Sequence, residues 1–334
     1  MVTIYDVARM AGVSRSTVSR VLNDRKEVNK ETRARVQDAI HKLNYSPNVS
    51  AQALASQSTN TIGVVSFGMK SFYSNFMDGI YYFADKMGYG TIFGVNNPVN
   101  KTRINYLAMM NGRVDGIIFL GETVTRGELV RLLDENYPLV LIENDIRFPG
   151  VLSVNIDNYH GAYQATRYLI QLGHQKIAHI MGNPDSTGAM ERVKGYSQAL
   201  EDHHLESGSH LIKVGNYLFN DGYCASRELL AESSDITAVF CANDNTAVAL
   251  IKAAFEKGLR VPGDISVIGF DDVSDQELLI NNMPHLTTIR QPYQEMAQYA
   301  VEALIQLINR QESHGNKMFK GELIIRDSAK QTGV

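Results

Sequence analysis

From residue 61 onward, short apolar runs alternate with longer stretches of helical periodicity, and that alternation leaves few folds open. The runs fall at 62–67, 89–95, 116–121, 138–144, 176–182, 210–216, 238–244, 265–272 and 286–291, each bounded by turn residues. Continuous apolar strands set between helices are buried on both faces, which is the pattern of a parallel sheet covered by helices. Nine such runs exceed one compact sheet of ordinary size. The expected body is α/β, built as two doubly wound lobes, with the chain crossing between them around Asn155–Gly161. Open sheets of this kind take ligands at the carboxyl ends of their strands, so a cleft between the lobes is the expected binding place.

The first sixty residues follow a different grammar. Thr3 with Asp6 starts a helix whose apolar residues Ile4, Val7, Ala8 and Ala11 share one face, and Gly12 stops it. Ser14 is a good N-cap for a second helix with Val18, Val21 and Leu22 inward and Arg15, Ser16, Ser19 and Arg20 outward. Asn29 caps a third, longer helix with Val36, Ala39, Ile40 and Leu43 as its inner stripe. Two short helices joined by a glycine turn, completed by a third, make an all-α helix-turn-helix domain. Its second helix is the one that enters a major groove, with Arg15, Ser16 and Arg20 as candidates for base edges. Charge agrees: residues 1–60 hold nine Lys/Arg against five Asp/Glu, a net +4, which leaves −8 on the rest of a chain whose total is −4. A basic head on an acidic body is expected when one small domain meets phosphate and the remainder does not.

Between head and body, Ser46-Pro47 begins a two-turn helix of small residues that is too short to be stable alone, and a loose polar tract follows. Its one large apolar side chain, Leu54, has no evident core to enter and would serve as a wedge in a minor groove. The stretch 3–23, the segment 32–40, and the LNYSPN and LAS motifs at 43–48 and 54–56 resemble the N-terminal signature of the LacI/GalR family of transcriptional regulators. That resemblance implies base contacts from Arg15, Ser16 and Arg20, phosphate contacts from Thr3, Ser14, Asn23 and Thr32, and a hinge acting through Tyr45, Asn48, Ala51 and Leu54. Val49 stands where many members carry Arg, which removes one hinge contact. The domain plan is then a head at 1–45, a hinge at 46–60 and a body at 61–334, whose lobes run 61–158 with 291–318 and 159–290 with 319–334.

Polar residues at strand ends supply the second candidate site. Arg192, Asn243 and Asp271 could converge on one crevice as guanidinium, amide and carboxylate, with Tyr217 or Phe219 under a sugar ring. Phe67, Phe72 and Tyr73 follow the first strand and suit the opposite wall. Arg192, Asn243 and Asp271 fall on the effector-contacting positions of the family, whose bodies resemble periplasmic sugar receptors. The implied function is a repressor of carbohydrate genes, binding a pseudo-palindromic operator as a homodimer under control of a small-molecule effector, a sugar; a phosphoprotein co-effector is the alternative. A dimer rather than a tetramer is expected because the last residues carry no leucine heptads.

Other classes find little support. No phosphate-binding glycine loop, zinc-protease helix or serine-hydrolase elbow is present, so neither an enzyme nor a cofactor or metal is expected. Asp271 and Asp272, as neighbours on an extended strand, would face opposite ways and could not flank one bond. His174, at a helix C-terminus, is expected to complement the helix dipole structurally. Cys224 and Cys241 have no CxxC spacing and are expected to be buried thiols. With no signal peptide and no long apolar run, a cytoplasmic location off the membrane is expected.

Overall fold

The computed structural model describes residues 2–22, 27–45, 58–67, 71–96, 112–144, 146, 148–233, 235–273, 283–312 and 315–332. Contacts divide the chain into two compact units, Met1–Thr59 and Asn60–Val334.

The first unit carries α1 (Ile4–Ala11), α2 (Arg15–Leu22) and α3 (Lys30–Lys42). Local chemistry sets each boundary. The Thr3 N–H donates to the Asp6 carboxylate at 2.9 Å, and Gly12 closes α1 with φ at +64°, which glycine adopts without strain. Ser14 Oγ accepts from Thr17 N–H, and Asn29 Oδ1 accepts from Thr32 N–H at 2.8 Å. The three helices bury Val7, Ala8, Ala11, Val18, Val21, Val36 and Ala39 together, a core that, among the described residues, is made within this unit.

The second unit is two α/β lobes. Lobe 1 contains β1 (Thr61–Phe67), α4 (Ser71–Lys86), β2 (Gly90–Asn96), β3 (Gly116–Leu120), α5 (Arg126–Asp134), β4 (Leu139–Ile142) and β5 (Leu152–Ile156). Far later in sequence, α10 (Tyr293–Ile308) and β11 (Lys317–Phe319) complete it. The sheet is parallel in the order β11-β5-β4-β3-β1-β2. Alternate residues feed opposite faces: Ile118 and Leu120 meet α4 and α10 through Phe76, Ile80, Met296 and Leu304, while Ile117 and Phe119 meet Leu129 and Leu132 of α5. Each large apolar side chain fully buried this way contributes roughly 1.5–3 kcal/mol.

Lobe 2 holds α6 (Asn158–Gln171), β6 (Ile177–Met181), α7 (Thr187–Asp202), β7 (Ile212–Val214), α8 (Phe219–Glu232), β8 (Ala238–Cys241), α9 (Asp244–Glu256) and β9 (Ser266–Ile268). Its sheet, ordered β7-β6-β8-β9, is parallel and covered by α6 and α7 on one face and α8 and α9 on the other. Two of the last three strands depart from the all-parallel expectation: β10 (Thr288–Arg290) and β12 (Glu322–Ile324) form an antiparallel ribbon. Among the described residues the chain crosses between lobes after β5, after β10 and after β11. The Asp157 N–H donates to Phe319 O at 2.7 Å, tying the first and third crossings together.

Two sequence expectations are corrected here. Cys241 is buried but Cys224 is exposed, because it lies on the outer side of α8. His174 is structural, yet by a different means: it is buried, burial lowers its pKa, and the neutral ring bridges Thr237 Oγ1, Ser266 Oγ and the Lys330 carbonyl. It therefore fastens the C-terminal strap to lobe 2 rather than offering a cation to a helix end. No helix of the described residues is long and apolar enough to cross a membrane.

Candidate functional site

In the head, Arg15, Ser16 and Arg20 of α2 are all exposed, and so are Thr3 and Ser14. Thr32 is half-buried at the start of α3, and Tyr45 packs partly against the head core. Asn23, Asn48, Ala51 and Leu54, and with them the hinge helix, lie outside the described residues. One neighbour escaped the sequence reading. Tyr5, exposed on α1, accepts from Arg15 Nη1 at 3.3 Å, with the guanidinium 5.7 Å from its ring centre. A hydroxyl on the outer face of the first helix is its only sequence signal.

In the body, a cavity of about 920 Å3 opens between the lobes and is lined by Phe72 and Tyr73 from α4, Arg192 from α7, and Tyr217, Asn243 and Asp271. Arg192 sits in the second turn of α7 rather than at a strand end. Its fork is fixed on every side: Nε donates to Asn158 Oδ1 at 2.8 Å, Nη1 to the Ala242 carbonyl, and the guanidinium lies 3.6 Å from the Phe270 ring centre. Nη2 stands 3.7 Å from Asp271 Oδ1, and both side chains are under a tenth exposed. Such a fork is preorganised and keeps N–H groups for a ligand.

Asp271 also accepts from Gln291 Nε2 at 2.9 Å. Burial pushes its carboxyl up to about 6, against the pull of Arg192 and Gln291, so it is ionised at neutral pH with little margin. Tyr73 faces Glu143, Glu122, Asp271 and Tyr217, and burial among them raises its pKa; its hydroxyl remains a neutral donor. Asn243 lines the cavity but spends its amide locally, capping α9 through Thr246 N–H and donating to the Tyr217 carbonyl at 3.2 Å. It thereby holds the tyrosine in place.

Of the two aromatic candidates, only Tyr217 reaches the cavity. Phe219 does not line it; as first residue of α8 its ring turns toward Lys252, 5.8 Å away. The side chain of Phe67 lies outside the described residues. Asp271 and Asp272 do serve different partners, though not by strand geometry: both have positive φ, +105° and +55°, so this is a turn rather than an extended strand. Asn158, Glu143, Gln291 and Tyr293 were missed. Glu143 directly follows β4 and Asn158 opens α6 two residues past β5, so the strand-end rule could have found them.

A helix-turn-helix reader joined to a two-lobed clamp with a polar interlobe cavity defines a ligand-regulated DNA-binding repressor, and comparison with known proteins gives the family. Residues 3–48 match the lacI family of bacterial regulatory proteins, and residues 166–329 match the periplasmic binding protein-like domain. The chain is 34% identical to the probable HTH-type transcriptional repressor ExuR of Bacillus subtilis (strain 168), over 99% of both chains. It is similar to the Lac repressor dimer bound to operator and the anti-inducer ONPF (30% identity, TM-score 0.84, 98% and 99% coverage). It is also similar to the transcriptional regulator CelR in complex with cellobiose (30% identity, TM-score 0.71, 98% and 100% coverage). The protein belongs to the LacI family and is a transcriptional repressor rather than an enzyme.

Proposed function

We propose that this repressor senses a carbohydrate in the cytoplasm and binds a pseudo-palindromic operator as a homodimer. The observation that carries the reading is the Arg192–Asp271 pair in the interlobe cavity, flanked by the Tyr73 hydroxyl and the Tyr217 ring. A guanidinium and a carboxylate side by side can donate to and accept from neighbouring hydroxyls, while an aromatic face covers the apolar side of a sugar ring. A bound cellobiose in a structure of the same fold supports this choice of ligand. One head per chain reads half a site, which calls for a second copy. Exposed Tyr81 and Tyr82 on α4 and Ile92 and Phe93 on the edge strand β2 leave apolar side chains that a second copy could cover.

Calorimetry of the full-length protein against cellobiose, maltose, glucose, galactose and ribose tests the ligand class. At least one is expected to bind; silence toward all, with capture of a phosphorylated protein instead, would favour the phosphoprotein alternative. The same titration carries a pH signature. Asp271 accepts a strong, charge-assisted hydrogen bond from a sugar hydroxyl when ionised, and with its pKa at about 6 some nine-tenths are protonated at pH 5. Affinity is expected to fall about tenfold from pH 7.5 to 5, and to lose this dependence in Asp271→Asn.

In the head, Arg20→Ala is expected to weaken specific operator binding by about 1–3 kcal/mol while sparing non-specific binding, as a lost base contact does. Equal losses on operator and random DNA would make Arg20 a phosphate contact instead.

A further inference from the structure

Beside the cavity, but not lining it, Asp272 is half-buried against two arginines. Its carboxylate accepts from Arg290 Nε at 2.6 Å and from Arg326 Nη2 at 2.6 Å, and its side chain is 11% exposed. The two cations belong to the two sides of the hinge ribbon: Arg290 ends β10, and Arg326 lies just past β12. Arg326 is itself fastened to the β10 side, donating from Nη1 to Leu286 O at 2.7 Å and from its backbone to Thr287 Oγ1 at 3.0 Å. One carboxylate thus gathers both edges of the ribbon through which the chain twice passes between the lobes.

The turn holding Asp272 is strained. Two consecutive residues with positive φ, neither of them glycine, form a conformation that L side chains rarely adopt, and surrounding contacts must hold it. Those contacts reach from every side. Asp271 N–H donates to Ile289 O and its carbonyl accepts from the Tyr293 hydroxyl, both at 2.7 Å. Val273 N–H donates to Asp244 Oδ2 at 2.8 Å, and Asp244 Oδ1 accepts from Thr288 Oγ1 at 2.6 Å. The side chains alternate in duty: Asp271 turns into the cavity toward Arg192, and Asp272 turns away into the ribbon.

We infer that Asp272 is a positioning residue: its double grip on Arg290 and Arg326 sets the strained turn so that the Asp271 carboxylate stays buried against Arg192, and it ties that carboxylate to two of the three crossings between the lobes. The inference rests on Asp271 being an effector contact for its functional meaning, but not for its geometry. Removing the Asp272 charge leaves two arginines facing each other across the ribbon and frees the turn. Asp271 then moves toward solvent.

The pH profile of the intact protein reads this without a ligand. A carboxyl held at about 6 when folded and near 3.8 when unfolded binds more protons in the native state, so its contribution makes stability fall as pH rises from about 4 to about 6. The groups facing Asp271 are Arg192 on α7, Tyr73 on α4, Tyr217, Asp244 on α9, Tyr293 on α10 and Asp272 itself; the lowered His174 and His179 titrate with the opposite slope. Comparison with Asp271→Asn isolates the Asp271 part. Melting temperature is measured between pH 4.5 and 7.5 for wild type, Asp271→Asn, Asp272→Asn and the double variant Arg290→Gln/Arg326→Gln, which leaves Asp272 in place. Asp272→Asn and the arginine double are expected to match Asp271→Asn in slope, losing a change of several degrees across that range. Should Asp272→Asn not fold, the arginine double decides. Profiles lowered uniformly but parallel to wild type would overturn the inference and leave Asp272 a plain ion-pair partner. Sugar calorimetry on Asp271→Asn separately tests whether Asp271 is an effector contact, so the two failures are distinguishable.

Discussion

Arg192→Ala is expected to abolish the response to effector while leaving operator binding in place. The substitution removes every N–H that the cavity offers from its lobe 2 wall at that point, and it also strips Asp271 of its cation at 3.7 Å. Breaking a buried pair by removing one partner typically costs 3–5 kcal/mol, because the other charge is left uncompensated. Here the outlet is protonation of Asp271, whose carboxyl is already raised to about 6 by burial and then has only Gln291 to oppose a further rise. The variant therefore loses a donor fork and an ionised acceptor together. A loss of at least 100-fold in sugar affinity follows, about 2.7 kcal/mol or more. Lysine in its place recovers little, since a point charge cannot reach Asn158, the Ala242 carbonyl and a ligand hydroxyl in one plane. The head has its own core, so an operator titration of Arg192→Ala should give near wild-type affinity that no longer changes on adding the sugar. A variant that still responds fully would remove Arg192 from the effector site.

Gly195→Ala is expected to be the most damaging single-methyl addition in lobe 2. Gly195 lies where α7 crosses α6, and a Cβ there would stand 2.2 Å from the Tyr159 carbonyl oxygen and 3.0 Å from the Tyr163 nitrogen. Those are backbone atoms of a helix, which cannot rotate aside as a side chain would. The helices must separate, and α6 has no slack on its other flank: a Cβ on Gly161 would meet the Phe270 ring at 2.7 Å. Overpacking of this kind costs about 1–3 kcal/mol and more where relief is blocked. Because α6 begins with Asn158, the partner of Arg192 Nε, its displacement also loosens the fork. Chemical denaturation should show the loss, with weaker sugar binding alongside. Gly127→Ala on α5, where no atom lies within 4 Å, is the control and should gain up to about 1 kcal/mol.

What could be read from the sequence was what is decided locally. The head is legible because Thr3, Gly12, Ser14 and Asn29 act on backbone groups a few residues away. The doubly wound lobes are legible because a parallel strand buried on both faces needs an unbroken apolar run. Asp271 was reachable through the strand-end rule, and Arg192 through the family likeness. The remainder depends on residues far apart in the chain. Gln291 and Tyr293 reach Asp271 only because the chain returns to lobe 1 there, and β10 pairs with β12 across more than thirty residues. No periodicity announces such a pairing. Phe219 failed for a related reason: one turn of backbone, Asn216 and Tyr217 at positive φ, separates the ring that enters the cavity from the one that does not.

The late arrival of α10 and β11 in lobe 1 has a consequence for synthesis. On a ribosome adding 5–20 residues per second, β1 to β5 emerge on the order of ten seconds before α10, which must cover Ile118, Val140 and Ile142 on one side of their sheet. During that interval the head can already fold on its own core, while the sensor is a half-clad sheet with an unpaired edge at β5. The nascent chain thus passes through a period when its head is folded but its sensor is not, and when exposed strands invite chaperones or other chains. Slower translation between Asn158 and Gln291 lengthens that vulnerable interval, and faster translation shortens it.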